Sequence, residues 1–259
     1  MKFTSVHLFM DFNCRRIYQN SFQDMFNYNV NFITTYISSR IKSLKFETCD
    51  TFSGIFVKID NIKVPDIYIN NDTRKLTVSF PAFDKVNYLK LDKKGRFEFY
   101  LSFLEKSYHM LRSKYKIPFE ELLSIHHEFR KNDYKNTTQK NKIFKDLNLE
   151  IITNHNTNCF EYYVKIWNIK TKEKLVSGLL FRTLPDPIFF KNLTSKITYN
   201  ENNITFFDNL GLPTFLLNID EIKSGIFNPK VLYVNPYCNI FYNSDKNPLR
   251  LKYPSEEIK

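Results

Sequence analysis

The 259-residue sequence predicts an α+β fold. Helices of the N-terminal half pack on a largely antiparallel sheet, and the C-terminal half is mostly β. Three observations predict this. Long stretches in the first half carry apolar residues at three- and four-residue steps, the period of a helix face. Other stretches alternate apolar and polar residues, the period of a half-buried strand. A first half of mixed helix and strand patterns is followed by a second half of strand patterns alone, which is α+β segregation.

The elements follow in order. In "MKFTSVHLFMDFNC" the residues Val6, Leu8, Met10 and Phe12 alternate, as in a first strand. A single early Lys, the interrupting Asp11 and the lack of a small-residue cleavage site argue against a signal peptide. Residues 20–46 read as one long helix, with Phe22, Phe26, Val30, Ile33, Ile37, Ile41 and Leu44 on its stripe and Asn20 or Ser21 as its cap. Four strands are expected over 53–92: "SGIFVKID", "PDIYIN", "RKLTVSF" and "VNYLKLD", with "NNDT" as a hairpin turn. A second helix begins near Arg96 and carries Phe97, Leu101, Leu104, Tyr108, Leu111 and Tyr115 on one face. Ile117-Pro118 ends it, and Pro118 opens a third helix, with Glu120 and Glu121 in the first turn and Arg130 and Lys131 in the last.

The polar stretch "KNDYKNTTQKN" and a short helical piece over 143–147 mark the expected boundary between halves 1–147 and 148–259, which also read as one continuous domain. Beyond it, "LEIITNH", "CFEYYVKIWN" and "KLVSGLLFRT" form a meander, "SKITYNENNITFFDN" a hairpin, and "PTFLLNID", "KVLYVN" and "CNIFYNS" three further strands. The tail over 246–259 reads as loosely ordered.

Composition narrows the function. The net charge is +11, from 38 basic and 27 acidic residues. That invites a nucleic-acid reading. However, Lys far outnumbers Arg, the charge is spread along the chain, and Phe, Tyr, Asn and Ile are abundant throughout. A general compositional bias accounts for this pattern better than a dedicated footprint does. Cys14, Cys49, Cys159 and Cys238 stand far apart without a CxxC pair, as free thiols of a reduced cytosol would, with a pair of disulfides as the alternative. No apolar run approaches the roughly 20 residues of a membrane helix.

His126-His127 is the most chemistry-like feature. Neighbours on a helix point about 100° apart, and "HHEF" is not the i, i+4 arrangement of a zinc helix. The reading is His126 on the apolar face with one ring nitrogen bonded, and His127 and Glu128 facing solvent. His7, His109 and His155 are isolated. There is no GxSxG, P-loop or GxGxxG, and only five glycines, each solitary and read as a turn or bulge. Neither a cofactor nor a metal site is therefore expected. The corner "LPDP" after Arg182-Thr183 either turns "IFF" back into the core or presents Arg182 and Asp186 on a rigid loop. The aromatics of "FEYYVKIW" (Tyr162, Tyr163, Trp167) read as core and sheet-face residues, since the glycines of an RNP pattern are absent.

The segments "YLSFLEKSYHMLRSKYKIPFEELLSIHHEFRKNDYK" and "LVSGLLFRTLPDPIFF" resemble immunity proteins of bacterial toxin–immunity systems, over about a third of the chain and without a diagnostic motif. The resemblance implies a non-catalytic cytoplasmic protein that neutralises one cognate toxin by steric blocking. A positive net charge departs from the acidic inhibitors common against nuclease toxins. The expected partner-binding residues are His127, Arg130, Lys131 and Tyr134 on the third helix, and Arg182 and Asp186 at the corner. The alternatives are a basic nucleic-acid-binding module and an enzyme whose site assembles only in space.

Overall fold

A computed structural model of the chain describes residues 1–49, 51–233 and 240–241. The chain forms two compact units, Met1–Lys135 and Asn136–Lys259, and its described residues form three sheets. The polar stretch contains the division. It falls twelve residues before the expected 147/148 boundary, because the segment after Lys135 is a strand of the second unit.

The first unit runs β1 (Ser5–Met10), α1 (Asn20–Leu44), β2 (Gly54–Asp60), β3 (Asp66–Asn70), β4 (Lys75–Pro81), α2 (Lys85–Leu89), α3 (Lys93–Leu111) and α4 (Phe119–Lys131). Its sheet has the order β1-β2-β4-β3. β1 is parallel to β2 and β2 to β4, whereas β3 runs antiparallel to β4. This corrects the antiparallel expectation for the first half. Alternation reports which face a strand buries, not its direction. Direction comes from the connection, and the 25-residue α1 returns the chain to the start of β2.

Val6, Leu8 and Met10 of β1, Ile55, Val57 and Ile59 of β2, and Leu76, Val78 and Phe80 of β4 are buried. They share one core with Phe22, Phe26, Val30, Ile33, Ile37 and Ile41 of α1. Phe12 does not extend this face; it opens a short 3-10 turn, Phe12–Arg16, and is 63% exposed. β1 is an edge strand, and α1 side chains meet the free polar groups of its Val6 and Met10. The N–H of Val6 donates to Ser38 Oγ (3.1 Å) and that of Met10 to Asn27 Oδ1 (2.8 Å), while Gln23 Nε2 donates to Met10 O (3.0 Å). Polar residues within the helix thus do the work of a neighbouring strand and close the edge.

Two further expectations change here. α1 is preceded by Gln19 as its cap residue, with no side-chain cap bond, in place of Asn20 or Ser21. "VNYLKLD" is not a strand. Asp84 accepts from the N–H groups of Val86 and Asn87, and Asp92 from that of Gly95, so two caps start α2 and α3 across it. Tyr88 then points into an aromatic core, where Phe26 and Tyr100 meet edge to face at 5.3 Å and the Tyr88 and Tyr100 hydroxyls share a hydrogen bond.

The second unit begins with a meander: β5 (Asn136–Phe144), β6 (Leu147–His155), β7 (Phe160–Asn168) and β8 (Lys174–Thr183). The helix expected over 143–147 is instead the end of β5 and its tight turn. Then come α5 (Pro187–Phe190), β9 (Lys196–Tyr199), β10 (Asn203–Phe207), β11 (Pro213–Asn218), α6 (Ile219–Lys223), β12 (Lys230–Val231) and β13 (Ile240–Phe241). The two sheets, ordered β13-β8-β7-β6-β5 and β12-β11-β10-β9, are antiparallel throughout the described pairings. They share a core in which Phe181 stacks on Tyr162 (5.1 Å) and on Phe215 (5.3 Å), and Tyr162 meets Phe206 edge to face. The turns "NNDT", "IKTKE" and "NENN" all stand between the strands they were expected to join. Cys238, most of the strand expected over 238–244 and the tail 246–259 lie outside the described residues.

Candidate functional site

The third predicted helix, α4, carries four of the six expected partner-binding residues, and the structure divides them. Its apolar stripe buries Leu122, Ile125, His126 and Phe129. His127 and Lys131 are exposed. Arg130 instead turns toward α3. Its Nε and Nη2 donate to the Glu98 carboxylate (2.9–3.1 Å) and its Nη1 to Glu105 Oε1 (2.7 Å). Tyr134 donates its hydroxyl to Glu98 Oε1 at 2.5 Å. The polar groups of Arg130 and Tyr134 are thus engaged within the unit, as a clasp between α3 and the end of α4.

His126 completes this clasp from inside. It is fully buried, and both ring nitrogens are bonded, where one was expected. Glu105 can only accept, so Nδ1–H donates to its Oε1 (3.0 Å) and Nε2 accepts from the Tyr108 hydroxyl (3.3 Å). Burial holds the imidazole below its ordinary value against the pull of Glu105, and it is neutral at pH 7. Burial would raise the Glu105 carboxyl, but the bonds from His126 and Arg130 outweigh it and hold it at about 2. With His126 neutral, Arg130 is the cation in this set. Glu128 faces solvent, as expected, and there accepts from Tyr36 (3.1 Å) and Arg40 (3.2 Å).

Arg182 lies near the end of β8, on the outer face of the five-stranded sheet, and donates from Nε (2.9 Å) and Nη2 (2.6 Å) to Glu161 Oε1. Asp186 is half-buried in the corner that follows. A residue not singled out from sequence locks that corner. His155, buried, bonds through Nε2 to the Pro185 carbonyl at 2.9 Å, and burial pushes its pKa down to about 4. Phe190 then stacks on Phe160 at 3.8 Å, so the corner does return part of "IFF" to the core. Sequence alone missed the lock because His155 and Pro185 are 30 positions apart.

Strand register assembles the outer face. Ile152, Tyr163 and Leu179 are direct partners across β6, β7 and β8 and form a half-exposed apolar row. A charged row, Asn154–Glu161–Arg182, flanks it on one side, and Glu150–Lys165–Ser177 on the other. Tyr163 and Trp167 thus lie on the face, as read, while Tyr162 is core.

Two charged clusters in the first unit were also invisible to spacing. Lys75 Nζ donates to the hydroxyls of Ser5 (2.8 Å) and Ser53 (2.9 Å) at the starts of three parallel strands, and burial lowers its pKa. This ties the strand beginnings together. At the opposite end Lys58 bridges Asp60 (2.7 Å) and Asp11 (3.4 Å). Cys14, buried nearby, has its thiol pushed up to about 11 by burial and the two aspartates, so it is protonated at neutral pH. Among the described residues no three His, Cys, Asp or Glu side chains gather as a metal-ligating group, and no helix is long and apolar enough to cross a membrane.

The chain matches no protein family, no curated protein and no solved structure.

Proposed function

We propose that this chain is a non-catalytic protein-binding protein that neutralises a cognate toxin in the cytoplasm by covering its active site or substrate entrance. The observation that supports this reading is the outer sheet face of the second unit. An apolar row, Ile152–Tyr163–Leu179, lies between two charged rows on rigid strands. Protein interfaces are built this way, with an apolar or aromatic centre, a polar rim and Tyr or Arg as anchors. Arg182 is held in place by Glu161, so little side-chain freedom is lost on docking. His127 and Lys131 on α4 offer a second exposed basic site that steers an acidic partner.

The test is neutralisation. The product of the adjacent reading frame is expressed in cells with and without this chain, and growth is measured. Rescue by the unmodified chain, lost with Tyr163→Asp and Arg182→Glu while the variants remain folded, is the expected result. Failure of the unmodified chain to rescue, or rescue by the double variant equal to it, overturns the proposal.

A further inference from the structure

At the far end of the same sheet, where β5 turns into β6 and β7 into β8, lies a shallow hollow of about 390 Å³. Its floor follows from register: Ile143 pairs with Asn148, and Asn148 with Trp167. Ile143 is 73% exposed and Ile169, also on its wall, 40%, so neither belongs to the core. Trp167 is fixed in place. Its Nε1–H donates to Glu150 Oε2 (3.1 Å), and Glu150 Oε1 accepts from Gln139 (2.7 Å).

The polar lining is made of amides and one cation. Asn168 Oδ1 accepts from the N–H groups of Lys170 (2.9 Å) and Thr171 (3.2 Å), which leaves its NH₂ as the donor it offers. Asn148 Oδ1 is buried and accepts no hydrogen bond from any described residue. A buried acceptor of this kind is met by a small donor, such as an ordered water, at the edge of the hollow. Asn141 adds a third amide and Lys172 a positive charge. The two turns around the hollow, 142–146 and 170–174, carry five lysines against Asp146 and Glu173.

We propose that this hollow binds a nucleotide unit: a base against Trp167, the polar edge of the base to the asparagine amides, and the phosphate to Lys172. A planar aromatic shelf, paired donors and acceptors, and surplus positive charge match base, base edge and phosphate together. An acidic peptide would use only the charge. The inference does not depend on the protein-docking reading, which rests on Tyr163 and Arg182 further along the face and meets the hollow only at Glu150. The nucleotide comes either free or within a single strand.

The experiment uses the full chain and its single tryptophan. Trp167 fluorescence, corrected for absorbance, is titrated with uridine monophosphate, a ten-residue oligouridylate, duplex DNA and polyglutamate. Separately, anisotropy of the labelled oligouridylate measures affinity for variants whose fold is checked by circular dichroism. The expected result is saturable quenching by the oligonucleotide that weakens with salt, with Trp167→Ala and Lys172→Glu each losing about tenfold in affinity and Trp167→Phe losing far less. Quenching by the monophosphate as well identifies a free-nucleotide site, and quenching by the strand alone a strand site; both support the proposal. Absence of saturable quenching by either nucleotide ligand overturns it, as does equal quenching by polyglutamate. Strand affinity that is unchanged in Trp167→Ala and Lys172→Glu also overturns it, since binding then comes from diffuse charge elsewhere.

Discussion

Lowering the pH from 6.5 toward 4 weakens the second unit through one residue, His155. Its imidazole packs edge-on against the stacked rings of Phe160 and Phe190, bonds to the Pro185 carbonyl, and titrates at about 4. In the unfolded chain an ordinary histidine titrates near 6.5. Between these values the unfolded state binds the proton and the folded state does not, so stability is full above 6.5 and falls as the pH falls toward 4. The slope is about 1.4 kcal/mol per pH unit, or roughly 2 kcal/mol between pH 6.5 and 5, a range above most carboxylate titration. Urea unfolding followed by Trp167 fluorescence isolates the effect, because that tryptophan is in the second unit and the chain has no other. His155→Gln keeps an N–H donor for Pro185 but does not titrate. The expected result is a steep loss of stability for the native chain and a shallow one for the variant. Equal slopes for the two would refute the assignment of acid sensitivity to this imidazole.

Other expected outcomes follow from single contacts. Gly54→Ala places a Cβ 2.3 Å from the Ser5 carbonyl oxygen, so the β1–β2 pair must part, with a loss of roughly 2–3 kcal/mol seen as a lower thermal midpoint. Gly178→Ala puts a Cβ 2.2 Å from the Phe227 ring, and near-ultraviolet dichroism should show that ring displaced while the β meander persists. Arg130→Met leaves Glu98 and Glu105 without their cation. The side chains are about one-third exposed, so the loss is about 2 kcal/mol, below the cost of breaking a fully buried pair; chemical denaturation measures it.

Long periodic elements were legible before any coordinates. The stripes of α1 and α3, the β5–β8 meander apart from its first strand, and three hairpin turns depend on contacts within a few residues, and periodicity encodes those directly. The candidate surfaces were only partly legible. Exposure of His127 and Lys131 follows from helix geometry, but nothing local announces that Arg130 and Tyr134 turn inward to Glu98, 32 and 36 residues away. The row Ile152–Tyr163–Leu179 and the lining of the Trp167 hollow likewise exist only once strand register is set.

The sequence by itself therefore determined the class, the helix faces, most strand positions and the poverty of glycine that disfavours tight cofactor loops. Tertiary structure alone decided the parallel pairing of β1, β2 and β4, the place of the division between units, and the partners of His126, Arg130, His155 and Arg182. The physical reason is range. Periodicity and capping are properties of neighbours along the chain, whereas strand direction, register and ion pairing are settled between residues that only folding brings together.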